Sequence, residues 1–167
     1  MEPLRTTRLR MDKISIEDAP FYVQLFNSDG WLTYIGDRNV HTVADAEAYI
    51  EKNYLPSYDT YGYGSYSVKL LDTGKTIGAC GLYKREGLDH PDIGFAFLPE
   101  YAGKGYGYEA ASAVMKYAQE HLGIDKILGF TVAYNKASIR LLEKLGLERC
   151  GTYQFENDPE ELLLFSN

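Results

Sequence analysis

The chain opens on an alternation, Leu4-Arg5-Thr6-Thr7-Arg8-Leu9-Arg10-Met11, whose period of two predicts a strand with one buried face. Ser15 followed by Asp18 has the form of a capping box and starts a helix expected to run to about Asn27, with Asp29-Gly30 as its break. Thr42, with Asp45 at the third position, caps a second helix through Ala44, Ala46, Ala48 and Ile50. Trp31, the single tryptophan, lies between these helices. The segment from Tyr54 to Tyr63 is rich in Tyr, Pro, Ser and Gly and reads as a loop. Strands over Gly64 to Leu71 and Thr76 to Tyr83 are joined by the turn residues Asp72-Thr73-Gly74-Lys75 into a hairpin.

In the second half, Asp92-Ile93-Gly94-Phe95-Ala96-Phe97-Leu98 is a short apolar strand that Pro99 ends. Beyond Gly105, the residues Ala110, Ala111, Val114, Met115, Ala118 and Leu122 recur at helical spacing until Gly123. A strand over Ile127 to Ala133 follows, then an amphipathic helix from Lys136 to Leu145 closed by Gly146, then strands over Leu147 to Phe155 and Leu162 to Phe165. Repeats, low-complexity tracts and linkers are absent. Residues 1–167 are therefore expected to form a single α+β (mixed α/β) domain, a mostly antiparallel sheet with helices on its faces.

A chain of 167 residues with 45% hydrophobic content can bury a self-sufficient core. Its 24 acidic and 17 basic side chains give a formal charge of -7, with no Lys/Arg block to neutralise phosphates, which argues against a nucleic-acid partner. The acidity suits a cationic acceptor such as an amine, and equally suits solubility alone. Cys80 and Cys150 fit no CxxC spacing and read as buried apolar residues in a reducing compartment. There is no secretory h-region and no run of about 18 apolar residues, so the expectation is a cytoplasmic protein without a membrane partner. His41, His90 and His121 lack metal-site spacing, and no metal is expected.

The segment richest in chemistry is Gly103-Lys104-Gly105-Tyr106-Gly107-Tyr108-Glu109-Ala110, between a strand and a long helix. Glycines let backbone N–H groups converge without Cβ obstruction, and a helix N-terminus adds positive potential, so the loop suits a phosphate or pyrophosphate; a plain turn is the other reading. It lacks the Gly-Lys-Ser/Thr of a Walker loop and the second half of a dinucleotide fold. From Asp92-Ile93-Gly94-Phe95 through Pro99-Glu100-Tyr101-Ala102 to Ala110, the chain resembles the coenzyme A-binding motif of the GNAT N-acetyltransferases. Asn135-Lys136-Ala137-Ser138-Ile139-Arg140-Leu141-Leu142-Glu143-Lys144-Leu145-Gly146-Leu147 resembles their second motif, and Thr7-Arg8-Leu9-Arg10-Met11 resembles the opening of the ribosomal-protein alanine N-acetyltransferase branch (RimJ/RimL type).

That resemblance implies a GNAT-like acyl-CoA N-acyltransferase fold with helices on both faces and a splayed pair of central strands. It implies acetyl-CoA as co-substrate, its pyrophosphate on the amides of Gly103, Lys104, Gly105, Tyr106, Gly107 and Tyr108, and its pantetheine arm against Phe95, Phe97 and Leu98. Asn135 would hydrogen-bond the pantetheine, cap the following helix, or both; Ser138, and less so Arg140, are further cofactor candidates. Two departures stand out: Ala102 occupies a loop position that is usually Gln or Arg, and Leu142 stands where many members carry a tyrosine acid. The expected reaction moves an acetyl group onto a primary amine, of a protein N-terminus or a small molecule, with a backbone N–H near Phe97 polarising the thioester carbonyl. Asp92 is the first candidate base and His90 the second, with Glu86 and His41 behind them. Trp31, Tyr34 and Tyr83 are expected to line the acceptor pocket, in a monomer or homodimer. Two alternatives are a catalytically silent acyl-CoA-binding module on the same fold and a structural domain whose glycine loop is only a turn.

Overall fold

The Thr6-Thr7 pair interrupts the opening alternation. The Thr6 N–H donates to Leu9 O at 2.9 Å, and the Leu9 N–H donates to Thr6 Oγ1 at 3.1 Å, which turns the chain back on itself. The expected single strand is therefore a hairpin of β1 (Leu4–Arg5) and β2 (Leu9–Lys13), with Leu4 opposite Met11. This is the first feature of a computed structural model that describes all 167 residues.

After β2 the Asp18 carboxylate accepts the Ser15 N–H at 2.9 Å, and a 3-10 turn over Ile16–Asp18 leads into α1 (Ala19–Phe26). Helix α1 ends at Asn27 as expected, but Asp29-Gly30, expected as its break, instead opens a second helix, α2 (Asp29–Tyr34), which contains Trp31. Helix α3 (Val43–Asn53) is capped as expected, Thr42 Oγ1 accepting the Asp45 N–H at 3.1 Å. The expected loop from Tyr54 to Tyr63 is instead mostly helix α4 (Leu55–Tyr61). Pro56 sits in its first turn, where no N–H is required, and the Tyr58 hydroxyl ties it down, accepting the Ile14 N–H at 2.9 Å and donating to Ser65 O at 2.6 Å.

The remaining elements are β3 (Ser65–Leu70), β4 (Thr76–Tyr83), β5 (Asp92–Phe97), α5 (Tyr106–His121), β6 (Leu128–Thr131), α6 (Lys136–Lys144), β7 (Glu148–Tyr153) and β8 (Leu162–Ser166). They form an eight-stranded sheet in the order β1-β2-β3-β4-β5-β6-β8-β7, antiparallel except between β5 and β6. One face packs on α1 and α3 through Tyr22, Leu25, Phe26, Ile50, Ala79 and Leu98. The other packs on α5 and α6 through Val68, Ile93, Ala111, Val114 and Leu142. Burial of such apolar surface, worth ~25 cal/mol per Å², is the main source of stability. Cys80 is buried in the second of these clusters, and burial pushes its thiol well above the usual range. Cys150 is exposed, contrary to the sequence expectation, because β7 is an edge strand with solvent-exposed residues from Glu148 to Thr152.

Candidate active site

Strands β5 and β6 touch at their start and then part. Asp92 is the only residue of β5 in register with β6, opposite Leu128, and the Leu128 N–H donates to Pro91 O at 2.9 Å. On its other side β5 pairs with β4 along its whole length, from Asp92 opposite Tyr83 to Phe97 opposite Gly78. The Leu98 N–H donates to Ile77 O at 3.0 Å, and bonding direction alternates along an antiparallel ladder, so the N–H and C=O groups of Phe95 and Phe97 point away from β4 toward the gap. The result is a wedge-shaped slot edged by unpaired backbone. Leu98, expected to border it, instead anchors its end: its side chain is buried among α1 and α3, and its carbonyl accepts the Tyr101 N–H at 2.9 Å.

The slot leads to the glycine loop. From Gly103 through Tyr108, six consecutive backbone N–H groups donate to nothing in the protein; the first intrahelical donor is Glu109, to Gly105 O at 3.1 Å. Gly105 makes the geometry possible, because its φ of 83° lies in the left-handed region that a side chain disfavours. Six free amides at the positive end of a 16-residue helix form a ready anion site.

Side chains from the β1–β2 turn, Thr6 and Arg8, clamp the loop from outside. Glu109 accepts from Thr6 Oγ1 at 2.6 Å, from the Arg8 N–H at 2.8 Å and from Arg8 Nε at 2.7 Å. Arg8 Nη1 also donates to Lys104 O at 3.0 Å, and its guanidinium lies 4.3 Å from the centre of the Tyr106 ring. Arg8 thus brings a cation to a loop that has Ala102 at its start. Partial burial raises the Glu109 pKa, but the bonds from Thr6 and Arg8 outweigh it and leave the carboxyl below its ordinary value. The stability that Glu109 lends is therefore complete above the ordinary carboxylate range and drains away as the pH falls through its lowered value. Glu109→Gln should flatten this acid limb in thermal melts as the pH falls below about 5, and should loosen acetyl-CoA binding through the loop.

On the α1–α3 face of the slot lie the groups expected to meet the acceptor. Asp92 is buried, and both its oxygens are occupied by Arg85, Nε at 2.7 Å and Nη2 at 3.2 Å. Burial raises its pKa, an effect that Arg85 opposes without cancelling. The expectation of a carboxylate free to take a proton thus meets one already committed to a neighbour. His90 is exposed on the loop before β5. Tyr83 lies over Gly94, where a Cβ would come within 2.5 Å of its ring, and its hydroxyl donates to Ser65 Oγ at 2.9 Å. Burial pushes that hydroxyl up to about 12, and its proton is already committed to the hydrogen bond with Ser65.

Trp31 packs on Phe26 at 4.6 Å between ring centres, and its indole N–H is buried without an acceptor. The Tyr34 and Tyr134 rings pack at a tilt 5.9 Å apart, and the Tyr134 hydroxyl approaches Thr33 O at 3.5 Å, so α2 is bridged to the loop after β6. Asn135 Oδ1 accepts the Ser138 N–H at 3.2 Å and caps α6, which leaves its amide nitrogen unbonded. No three His, Cys, Asp or Glu side chains are grouped as metal ligands, and no helix is long and apolar enough to cross a membrane.

The sequence family described as "Acetyltransferase (GNAT) domain" matches residues 8–148. The chain belongs to the GNAT acetyltransferase family. The uncharacterized N-acetyltransferase YnaD of Bacillus subtilis is 28% identical over 151 residues, covering 90% of this chain and 85% of its own. A second Bacillus subtilis relative, the uncharacterized N-acetyltransferase YoaA, is 27% identical over 158 residues, covering 92% of this chain and 89% of its own. Among solved structures, RimL, a ribosomal alpha-N-protein acetyltransferase in complex with coenzyme A, matches with a TM-score of 0.84 at 16% identity, over 99% of this chain and 97% of that one. An acetyltransferase from Agrobacterium tumefaciens matches with a TM-score of 0.83 at 23% identity, over 100% of this chain and 94% of that one. The structural likeness is one of fold, and the family match makes this GNAT protein an N-acetyltransferase that uses acetyl-CoA. Sequence reading missed Arg8, Glu109 and Arg85 as parts of the site. Arg8 and Glu109 act across the fold, 101 residues apart, while Arg85 reaches Asp92 over only seven residues but through a bend between two strands that its sequence does not announce.

Proposed function

We propose that this GNAT acetyltransferase acetylates the primary α-amine of a peptide or small molecule, with acetyl-CoA laid along the open edge of β5. The observation that carries the reading is the run of six undonated amides from Gly103 to Tyr108 at the mouth of a slot edged by unpaired backbone. The loop would hold the pyrophosphate, and Phe95 and Phe97 would pair with the pantetheine through their outward N–H and C=O groups. Asn135 would add a bond through its free amide nitrogen, with Ser138 beside it. Acetyl-CoA supplies an activated thioester; amine attack forms the C–N bond and breaks the C–S bond, releasing the thiolate.

An α-amine of pKa ~7.7–8.0 needs only ~1 kcal/mol to lose its proton at neutral pH, against ~4 kcal/mol for a lysine-type amine of pKa ~10.4. A thiol of pKa ~8.5 leaves as thiolate at a cost of ~2 kcal/mol, so Leu142 in place of a tyrosine acid is compatible with turnover. The Phe97 N–H, directed into the slot, would polarise the carbonyl. Asp92 is better fitted to anchoring Arg85 than to taking the proton, which would leave through water past the exposed His90.

The test combines thiol release across a panel of amines with melting curves. Acetyl-CoA at a hundredfold excess over its dissociation constant should stabilise the fold by ~2.7 kcal/mol, and an α-amine should release thiol. Stabilisation without thiol release from any amine would instead favour the silent acyl-CoA-binding module. Asp92→Asn separates the roles of Asp92. Loss of a direct base would lower kcat by ~10²–10⁴ with partial rescue at high pH, whereas loss of an anchor should raise the acceptor KM and leave the shape of the pH profile unchanged.

A further inference from the structure

Arg85 is gripped on three sides and open on the fourth. Asp92 takes its Nε and one hydrogen of Nη2, while the Phe155 and Tyr83 ring centres lie 5.3 Å and 5.4 Å from its guanidinium carbon. Guanidinium carries five N–H groups, so three remain: both on Nη1 and the second on Nη2. Side by side, Nη1 and Nη2 make the end-on fork that matches a carboxylate. Here the side chain of Asp92 is 3% exposed and that of Arg85 is 41% exposed, so a buried carboxylate orients a cation that still faces solvent.

Its position ties that cation to the reaction. Arg85 follows Tyr83 by two residues, and the Tyr83 ring lies over Gly94, next to Phe95 at the slot. Beyond Phe155, the rings of Tyr153 and Phe130 pack at 4.8 and 5.2 Å from it and extend an apolar wall away from the fork. Glu86 and Asp89, exposed on the same loop, form no ion pair with Arg85. We infer that Arg85 is a specificity residue whose free fork binds a carboxylate of the acceptor, so that the preferred substrate is an amine carrying a nearby carboxylate: a free amino acid or a peptide with an acidic first residue. The inference rests on the transferase reading above. It also runs against what the chain's net charge of -7 suggests by itself, because Asp92 and Arg85 cancel locally and leave the fork's hydrogen bonds to decide.

The test is kcat/KM by thiol release for acceptors that differ in one carboxylate: free alanine and free aspartate against their α-carboxamides, and C-terminally amidated tripeptides beginning with aspartate or glutamate against those beginning with asparagine or glutamine. The acid member should be preferred by about 10- to 100-fold, the range of a charge-assisted hydrogen bond, and mainly through KM. Free amino acids reacting better than tripeptides, or the reverse, tells which source supplies the carboxylate. Arg85→Lys keeps a cation against Asp92 but loses the planar fork, and its acid-over-amide ratio should fall toward one. The double variant Arg85→Gln/Asp92→Asn, which leaves no buried charge unpaired, should show no preference. Equal rates for matched pairs in the wild type, or a preference that survives in both variants, overturns the inference. Thiol release from amides alone would do the same while leaving the transferase reading intact. Silence from every amine with acetyl-CoA still bound overturns the transferase reading and the inference with it.

Discussion

Arg85→Gln will lower the melting temperature by about 6–20 °C near neutral pH, because it strands a buried carboxylate. Breaking one partner of a buried pair typically costs about 3–5 kcal/mol, and a protein of this size loses about 2–4 °C per kcal/mol. The cost comes from Asp92, whose side chain is 3% exposed and whose remaining partner would be glutamine; the half-open Arg85 contributes little of its own. Burial already raises the Asp92 pKa with Arg85 in place, and removal of the cation will raise it further. A carboxyl that holds its proton more firmly when folded than when unfolded favours the folded state at low pH and penalises it as the pH rises through that interval. The Arg85→Gln defect should therefore shrink as the pH falls toward the ordinary carboxylate range. Adding Asp92→Asn should recover much of it at neutral pH. Melts that show the single variant as stable as the wild type at every pH would mean that solvent reaches Asp92 and that no buried pair exists.

Gly105→Val will cost about 10²–10⁴-fold in acetyl-CoA affinity while the protein remains folded. A branched residue at a φ of 83° is strained by ~1–2 kcal/mol, and its Cβ would stand 3.3 Å from Arg8 Nη2, so the loop must shift against its clamp. A shift that removes only two of the six amides from the phosphate forfeits ~3–6 kcal/mol, since each charge-assisted bond is worth ~1.5–3 kcal/mol. Folding feels the strain alone; binding feels both. Equal losses of stability and affinity would mark the loop as a turn and nothing more, and calorimetric titration beside thermal melts separates the two cases.

Local chemistry explains which parts of this molecule were legible in its sequence. Thr42 with Asp45, the turn at Asp72 to Lys75 and the glycines from Gly103 to Gly107 act over a few residues, and each has the structure its spacing foretold. Tyr54 to Tyr63 misled because Pro and Gly read as breakers, whereas Pro56 and Gly62 sit at the start and end of α4, the two places in a helix where they fit. The Thr6-Thr7 turn was hidden because Leu4 before it and Leu9 and Met11 after it read as one alternation, although the phase shifts by one residue across the turn. At the site, Asp92 and Tyr83, singled out from the sequence, lie opposite each other across β4 and β5. Their partners Arg85 and Ser65 are chosen by strand register and burial, which decide whether a carboxylate is a base or an anchor. Leu98 shows the same limit: an apolar residue at a strand end reads alike whether it faces the slot or the core, and here it faces the core.

Cofactor binding here depends on the free amides of the loop, and amide hydrogen exchange reads them directly. In the protein alone, Gly103 to Tyr108 should exchange freely, since none of the six has an internal acceptor. With saturating acetyl-CoA, protection should appear at these six and at Phe95 and Phe97 on the open edge of β5, while β1 and β7 at the far ends of the sheet stay unchanged. Unchanged exchange at Gly103 to Tyr108 under saturating acetyl-CoA, or protection confined to another surface, would contradict the placement of the cofactor and with it the acetyl-transfer site built around that slot.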